Sequence, residues 1–373
     1  MIFICTIAEA QINIRMSLRY IIRLIFTFIM NNIYIYILII IFFVSCNAHP
    51  HPSLEGFEIV KDLVVTDSIE LEGYNILNPN SVYYTQNMLV FKSRGRNGLQ
   101  VLDLNDYKSY VMNIIGVGPD EVSMFNIIRN KYSSVFHFVD PNTKKILEFR
   151  IDTLRDCEEA RPFFLKKTPT DANEVVFNGF ENSSFFFFTG HIGDGRFLSY
   201  NKKTGYKKVC GEFPENDQTV LLNERRKGSV FNGTMMTGNE SHFVACCSGL
   251  IDFYEISPDG ELHEITNRYY HFPNFEVNNG NGPVVSFSSE DKEGFRGIDS
   301  EGNFVYTLYS DKTFKEYRER AYNCETLFLY DWEGNPQCEY RLEKSLYSFA
   351  VNGKRIYGLS RENDPKVYVY ELP

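Results

Sequence analysis

Hydrophobic and polar residues alternate along most of the chain beyond residue 57, and runs with the period of a helix are scarce. Alternation is typical of strands with one buried face, because successive side chains of a strand point to opposite sides of the sheet. The pattern therefore predicts an all-β fold for residues 57–373. Strand candidates include Met88–Lys92, Val135–Asp140, Phe185–Thr189, His242–Ser248 and Asn303–Ser310.

Six short stretches of the chain resemble one another, because each is an alternating aromatic and aliphatic run and most end in an acidic or turn-forming tail. Their starts are separated by 46, 50, 55, 75 and 39 residues. Repeats of this length indicate stacked supersecondary units, and all-β units of this kind form propellers. The sequence thus predicts one domain that is a six-bladed β-propeller. The six runs are Val101–Leu104, Leu147–Asp152, Phe197–Gly205, Asp252–Gly260, Leu327–Gly334 and Lys366–Pro373.

The last of these runs reaches Pro373, so that a four-stranded sixth blade would lack its outer strand. The early alternating segment Phe57–Thr66 could supply it. We expect this N-terminal strand to complete the last blade and close the ring, which would leave no open sheet edge there.

The first 45 residues differ from the rest, since they contain neither glycine nor proline and end in an apolar run, Ile33–Val44. This run is shorter than the roughly 20 residues of a membrane span and suits a secretory signal. Ser45 and Cys46 follow at once, and the segment Phe43–Cys46 resembles the lipobox of bacterial lipoproteins. We therefore expect a signal peptide over 1–45, a lipid on Cys46 and a tether over 46–56.

Two alternatives remain for this segment. Translation could start at Met30 instead of Met1, or the apolar stretch Ile21–Val44 could remain as an uncleaved anchor. Since no acidic run follows Cys46, we expect a lipid-anchored protein at the periplasmic face of the outer membrane rather than at the cell surface.

The chain is acidic, with a formal net charge of −10. Removal of residues 1–45, which carry three arginines and one glutamate, would leave −10 − 2 = −12. An acidic surface argues against nucleic acid as a partner and against electrostatic attachment to anionic lipid. We expect a monomer that meets the membrane through its lipid. Six cysteines follow Cys46 without a CxxC pair, which disfavours zinc and favours buried free thiols.

A second motif recurs along the chain: a phenylalanine followed by asparagine or arginine, called here the Phe-Asn motif. It precedes successive repeat units as Phe125-Asn126, Phe177-Asn178, Phe231-Asn232 and Phe295-Arg296. The asparagine and arginine positions are separated by 52, 54 and 64 residues. We place these pairs on or beside the innermost strand of each blade, with the phenylalanine between blades. The polar residue would then line the central funnel and contact a ligand. The alternative is a turn or a blade-packing element, because Asn-Gly is itself a favoured turn sequence.

Catalytic chemistry has little support in the sequence. The chain contains no GxSxG nucleophile elbow, and its serines and histidines are scattered. The most site-like stretch is His191–Gly195, in which His191 and Asp194 offer an imidazole and a carboxylate on one loop. We regard both as candidate ligand-binding residues, with solvated turn residues as the alternative. We identify no catalytic residue and no metal ligand set.

Four strand and hairpin elements stand out in the C-terminal third: Tyr306–Ser310, Tyr330–Gly334, Ile356–Tyr357 and Tyr370–Leu372. With these elements the chain resembles the TolB-like six-bladed propeller lipoproteins of Gram-negative bacteria. The resemblance covers most of the mature chain and is clearest after Phe295. It implies a propeller and an envelope lipoprotein, and it implies no reaction.

These observations favour a binding or interaction module without a cofactor, whose funnel or loops engage a glycan, a peptide or a protein partner. The alternative is a hydrolase similar to the six-bladed lactonases, with Ca²⁺ in the central channel. Asn126, Asn178 and Asn232 could supply oxygen ligands for such an ion. Arg296 at the fourth position would repel a cation, which favours an anionic or carbohydrate ligand.

Overall fold

The computed structural model describes residues 56–93, 98–112, 114–116, 118, 121–131, 133–155, 163–278, 284–362 and 364–373. The expected signal peptide over 1–45, the expected lipidation site Cys46 and nearly all of the tether over 46–56 lie outside the described residues. These remain predictions from the sequence.

Two short strands, β1 (Val60–Leu63) and β2 (Val65–Glu70), precede the blades in the chain. The described strands then form six blades of four, each an antiparallel meander. Blade 1 contains β3 (Pro79–Thr85), β4 (Met88–Ser93), β5 (Leu99–Asp103) and β6 (Ser109–Met112). Blade 2 contains β7 (Asn126–Arg129), β8 (Val135–Asp140), β9 (Lys145–Arg150) and β10 (Phe163–Lys167). Blade 3 contains β11 (Val175–Glu181), β12 (Phe185–His191), β13 (Phe197–Asn201) and β14 (Lys207–Cys210).

Blades 4 to 6 follow the same order from the inner to the outer strand. Blade 4 contains β15 (Met235–Gly238), β16 (His242–Cys247), β17 (Gly249–Ile256) and β18 (Leu262–His271). A separate hairpin follows, β19 (Phe275–Asn278) and β20 (Val284–Phe287). Blade 5 contains β21 (Lys292–Glu301), β22 (Phe304–Thr313), β23 (Cys324–Asp331) and β24 (Pro336–Leu346). Blade 6 contains β25 (Ser348–Asn352), β26 (Arg355–Ser360) and β27 (Lys366–Glu371), with β2 as its fourth strand.

Helical structure is short in the described residues. The helix α1 (Glu224–Val230) begins at Asn223, whose side chain accepts a hydrogen bond from the backbone amide of Arg226. The helix α2 (Phe314–Tyr317) is a single turn. Four 3₁₀ turns complete the set: Glu72–Tyr74, Ile151–Arg155, Thr219–Leu221 and Arg318–Tyr322.

The N-terminal strand closes the ring, as expected from the sequence, although its position is shifted along the chain. The predicted strand Phe57–Thr66 is divided between two blades. Strand β2 pairs antiparallel with β27, with Ile69 opposite Val367, and completes blade 6. Strand β1 instead runs parallel to β24 at the outer edge of blade 5, with Leu63 opposite Leu342. The break falls at Val64, which is 65% exposed.

The core lies between neighbouring blades, where aromatic side chains from facing sheets meet. Phe187 of blade 3 and Phe243 of blade 4 are fully buried, with ring centroids 5.4 Å apart. At the closure, Tyr84 of blade 1 stacks on Tyr357 of blade 6 at 5.6 Å. Such pairs explain the many phenylalanines, because aromatic contacts stabilise a packed interface beyond the area they bury.

The first strands of the six blades surround the central channel. Neighbouring inner strands run parallel, as in the register between β7 and β11 that places Ile128 beside Gly179. The backbones approach closely there: a Cβ atom on Gly179 would lie 3.1 Å from both Ile128 and Phe188. The glycine that follows Asn178 is therefore required for blade packing and not for a turn.

Candidate functional site at the channel mouth

A cavity of about 190 Å³ opens where the inner strands begin, and every blade contributes to its wall. Along the central channel of a propeller, all blades can touch one ligand. One lining residue from each inner strand, in the order of the blades, is Ser81, Asn126, Asn178, Met235, Arg296 and Ser348.

Irregularities in the inner strands direct several side chains into this cavity. The pairing of β3 with β4 skips a residue between Pro79 and Ser81, and the pairing of β21 with β22 skips one between Phe295 and Gly297. The extra residues of these two bulges are Asn80 and Arg296. A β-bulge changes the direction of a side chain and often accompanies a functional site. Both residues line the cavity.

Three buried polar atoms on the cavity wall have no hydrogen-bond partner among the described residues: Asn80 Oδ1, Ser81 Oγ and Arg296 Nε. A buried polar atom without a partner costs about 1–3 kcal/mol. Native proteins leave few such atoms, and those that converge on one cavity indicate a place for water or a ligand.

Asn126 and Asn178 line the cavity and also join neighbouring blades. The Asn126 side-chain amide donates to the backbone oxygen of Phe177. The Asn178 amide nitrogen lies 3.0 Å from the backbone oxygen of Thr234 in the same way. The repeated asparagine thus connects blade 2 to blade 3, and blade 3 to the start of blade 4. The packing interpretation and the lining interpretation of the motif both apply at these two positions.

Asn232 does not take the equivalent position. It lies in an exposed turn after α1, between buried Phe231 and buried Thr234. Met235, three residues later, lines the cavity on this blade. Helix α1 and its turn occupy the sequence before β15. Asn232 therefore keeps the spacing of the repeat in the sequence but lies before the inner strand, whereas Asn126 and Asn178 lie on theirs.

Lys92 belongs to this site although the sequence does not single it out. Its ammonium donates to Asn126 Oδ1 at 2.7 Å and lies 5.2 Å from the centre of the Phe125 ring. Burial lowers the pKa of Lys92 to about 8. In the sequence Lys92 directly follows the apolar run Met88–Phe91, and a lysine in a strand ordinarily indicates its solvent face.

Arg296 is held from two sides. Its guanidinium carbon lies 4.6 Å from the centre of the Tyr322 ring, and its Nη1 lies 3.6 Å from a carboxylate oxygen of Glu293. Burial raises the pKa of Glu293, and Arg296 opposes that shift. Among the described residues that line the cavity, Arg296 is the one with a formal charge.

His191 and Asp194 do not line the channel cavity. His191 Nε2 lies 3.0 Å from Ser229 Oγ of α1, and its ring packs edge-on against Phe177. Burial lowers the pKa of His191, and the nearby positive charge of Arg225 lowers it further. Asp194 is exposed and borders an open groove of about 520 Å³. The groove also contains Glu212, Glu215, Glu224 and Lys227. His191 therefore anchors a helix, and no observation joins it to Asp194 in one site.

A smaller cavity of about 30 Å³ lies at the other end of the inner strands, and Tyr83 and Ile127 line both cavities. Lys131 occupies this second end. Its ammonium lies 2.5 Å from Glu301, 3.9 Å from Asp299 and 2.9 Å from the backbone oxygen of Ser300. The carboxylates at this end already have an internal cation.

The described part of the chain offers little for metal binding or thiol chemistry. It contains no group of three or more histidine, cysteine, aspartate or glutamate residues placed to hold a metal ion. Cys157 lies outside this part. Free buried thiols occur at Cys210, Cys247, Cys324 and Cys338. Burial raises the pKa of Cys210 and Cys324 to about 12, which keeps these thiols protonated and unreactive.

No curated protein matches the chain. Two solved structures from Bacteroides are similar to it in shape. A protein from B. fragilis described as exported aligns with 10% identity and a TM-score of 0.52, over 85% of this chain and 97% of its own. A DUF4221 family member from B. vulgatus aligns with 11% identity and a TM-score of 0.49, over 83% and 97%. At such identities the likeness concerns the fold alone.

No helix among the described residues is long and apolar enough to cross a membrane. A family model described as TolB-like 6-blade propeller-like matches residues 99–354, which is more than half of the chain. The six described blades agree with that description. The chain therefore belongs to the TolB-like six-bladed propeller family.

Proposed function

We propose that the chain is an exported recognition protein, anchored in the outer membrane by a lipid on Cys46, whose channel-mouth cavity binds a polar ligand. The observation that carries the proposal is the convergence of Asn80 Oδ1, Ser81 Oγ and Arg296 Nε, all buried and without partners among the described residues, on one cavity. The ligand would belong to a glycan, a peptide or a protein of the envelope.

Export is supported by two independent features. Residues 33–44 form an apolar run directly before Ser45 and Cys46, which is typical of a secretory signal with a lipidated cysteine. One structurally similar protein is described as exported. The bridged inner strands give the ring a rigid wall, which suits a preformed binding site.

Recognition is better supported than hydrolysis. The side chains described around the cavity include amides, hydroxyls and one guanidinium, and they include no paired nucleophile and base. Calcium in the channel, as in the lactonase-like alternative, would face Arg296 at one end and Lys131 at the other. Arg296 would repel the ion at the mouth, and at the other end the ammonium of Lys131 already pairs with the carboxylates of Asp299 and Glu301.

The test measures the binding of small polar probes to the full-length protein in detergent by isothermal titration calorimetry. We expect Asn80→Ala to weaken every probe that binds in the cavity, because the asparagine loses its contact with the ligand. Asn232→Ala is the matched control, since it removes the same side chain outside the cavity. If Asn80→Ala and Asn232→Ala bind all probes as the unmodified protein does, the cavity is not the binding site and the proposal fails.

A further inference from the structure

We propose that the group bound at the channel mouth is a sugar that carries a carboxylate, such as a uronic acid unit of an acidic glycan. This inference rests on the proposed function and specifies the ligand of the same cavity. It follows from the hydrogen-bonding needs of three side chains, from the local charge and from the shape of the wall.

Arg296 requires an acceptor. Its Nη1 faces Glu293 at 3.6 Å, and its Nε, on the other edge of the planar group, is buried without a partner. The Nε edge of a guanidinium is suited to a carboxylate, because two parallel N–H groups meet two oxygens. A neutral hydroxyl could fill the position, but it would leave the charge of Arg296 less well compensated.

Asn80 requires a donor. Its Oδ1 is an acceptor without a partner, and the neighbouring Ser81 Oγ can either donate or accept. An ionised carboxylate has only acceptors, so a simple carboxylic acid would leave Asn80 unsatisfied. A ligand with both a carboxylate and hydroxyl groups satisfies Arg296 and Asn80 together. A uronic acid carries several hydroxyls on one ring.

Cationic side chains lie at or near the cavity, although the chain as a whole is acidic. Lys92 lies behind Asn126, and the guanidinium of Arg361 lies 4.6 Å from the ring centre of Tyr347, which lines the cavity. The nearby carboxylates are Glu293, held against Arg296, with Asp291 and Glu319 acting on it, and Glu362, which accepts from Ser345 Oγ at 2.7 Å. Of these charges, Arg296 is the one on the described wall of the cavity, so a bound group meets it directly.

The size and surface of the cavity fit a single ring. A volume of about 190 Å³ is below the roughly 300–1,000 Å³ of sites for drug-sized ligands. Tyr83 and Tyr347 lie on its wall and give aromatic surface for the C–H faces of a sugar. A peptide C-terminus also has a carboxylate, but it brings one amide N–H in place of several hydroxyls. The unpartnered oxygens of Asn80 and Ser81 therefore favour the sugar.

The experiment compares glucuronate, glucose, N-acetylalanine and inorganic phosphate by titration calorimetry on the full-length protein. We expect glucuronate to bind at least about tenfold more tightly than glucose, as loss of a charge-assisted hydrogen bond implies. Arg296→Gln should abolish this preference, and Arg296→Lys should restore only part of it, since lysine has no fork. Arg341→Gln, at an exposed arginine of β24, is the matched control and should behave as the unmodified protein.

Four outcomes of these titrations would contradict the inference. Equal affinity for glucose and glucuronate, or an unchanged preference in Arg296→Gln, would overturn the carboxylate and leave the polar site of the proposed function in place. Tighter binding of N-acetylalanine or of phosphate than of glucuronate would overturn the acidic sugar. If Arg296→Gln lowers the melting temperature, Arg296→Lys and Asn80→Ala carry the comparison. Absence of binding by every probe at millimolar concentration would overturn both proposals.

Discussion

The ammonium of Lys92 in blade 1 donates to Oδ1 of Asn126 in blade 2, at 2.7 Å, beside the channel mouth. Asn126 in turn donates to the backbone of blade 3. One lysine and one asparagine therefore connect three consecutive blades at the point where the ring surrounds its cavity.

This contact predicts a pH-dependent stability. Burial lowers the pKa of Lys92 from 10.5 to about 8, so between these two values the unfolded chain binds the proton and the folded chain does not. The free energy of unfolding therefore receives from Lys92 a contribution that increases with pH between about 8 and 10.5. The increase is at most about 3 kcal/mol.

Lys92→Met should remove this increase, and urea denaturation of both proteins at several pH values measures it. The difference between the two unfolding free energies should change steadily from pH 8 to 10. Lys203→Met changes an exposed lysine and serves as the control. A constant difference between the unmodified protein and Lys92→Met would show that Lys92 does not titrate in this range.

Asn178→Ala should destabilise the fold by about 1–2 kcal/mol, because the backbone oxygen of buried Thr234 loses its partner. Asn232→Ala should change the free energy of unfolding by less than about 0.5 kcal/mol, since Asn232 is exposed. Denaturant titration of the two variants makes the comparison. Equal effects would mean that the bridge between blades 3 and 4 contributes nothing.

Gly179→Ala should destabilise by about 1–3 kcal/mol through crowding. The new methyl group would lie 3.1 Å from Ile128 and Phe188, where two inner strands meet. Gly73→Ala is the control, because a Cβ atom at Gly73 meets nothing within 4 Å. Thermal unfolding followed by circular dichroism distinguishes them, and an unchanged melting temperature for Gly179→Ala would contradict the close approach of the strands.

Ile69→Ala tests the closure of the ring. Ile69 is 8% exposed and packs in the core between blades 6 and 1, so its truncation should cost about 2–4 kcal/mol. Val64→Ala, at the exposed break between β1 and β2, should have little effect. If the two variants unfold at the same denaturant concentration, β2 does not contribute to the stability of blade 6.

Cys46→Ser tests the expected anchor. The serine cannot accept the lipid, so we expect the protein to leave the membrane fraction and appear in the soluble fraction of cells. Cys210→Ser, at a buried thiol within the propeller, controls for a general effect of losing a cysteine. Continued membrane association of Cys46→Ser would contradict lipid attachment at this residue.

The blades could be predicted from the sequence because their strands alternate and similar runs recur at the spacing of a blade. The ring closure followed from the missing outer strand of the sixth blade. The exact closing strand could not, since Phe57–Thr66 and the observed β2 share the same alternation and differ only in which partner they meet. Pattern gives the face of a strand, and it does not give the neighbour of that strand.

The site was only partly predictable for a related reason. Asn126, Asn178 and Arg296 line the cavity at the positions that the Phe-Asn motif indicated. Blade 1 has Pro79 and Asn80 in place of the Phe-Asn motif. The sequence therefore did not indicate that Asn80 and Ser81 line the cavity. Lys92 reaches the site across a blade boundary, a relationship that exists only after the sheets have packed.

Strands β1 and β2 give the chain a mechanical property. Residues 60–70 cross from the rim of blade 5 to the rim of blade 6, and β1 pairs with β24 in parallel. A pull on the residues before Val60 would first have to detach β1 from one sheet. Only then would it act on β2, whose removal opens the circle. The first strand therefore protects the circular arrangement from forces transmitted along the polypeptide.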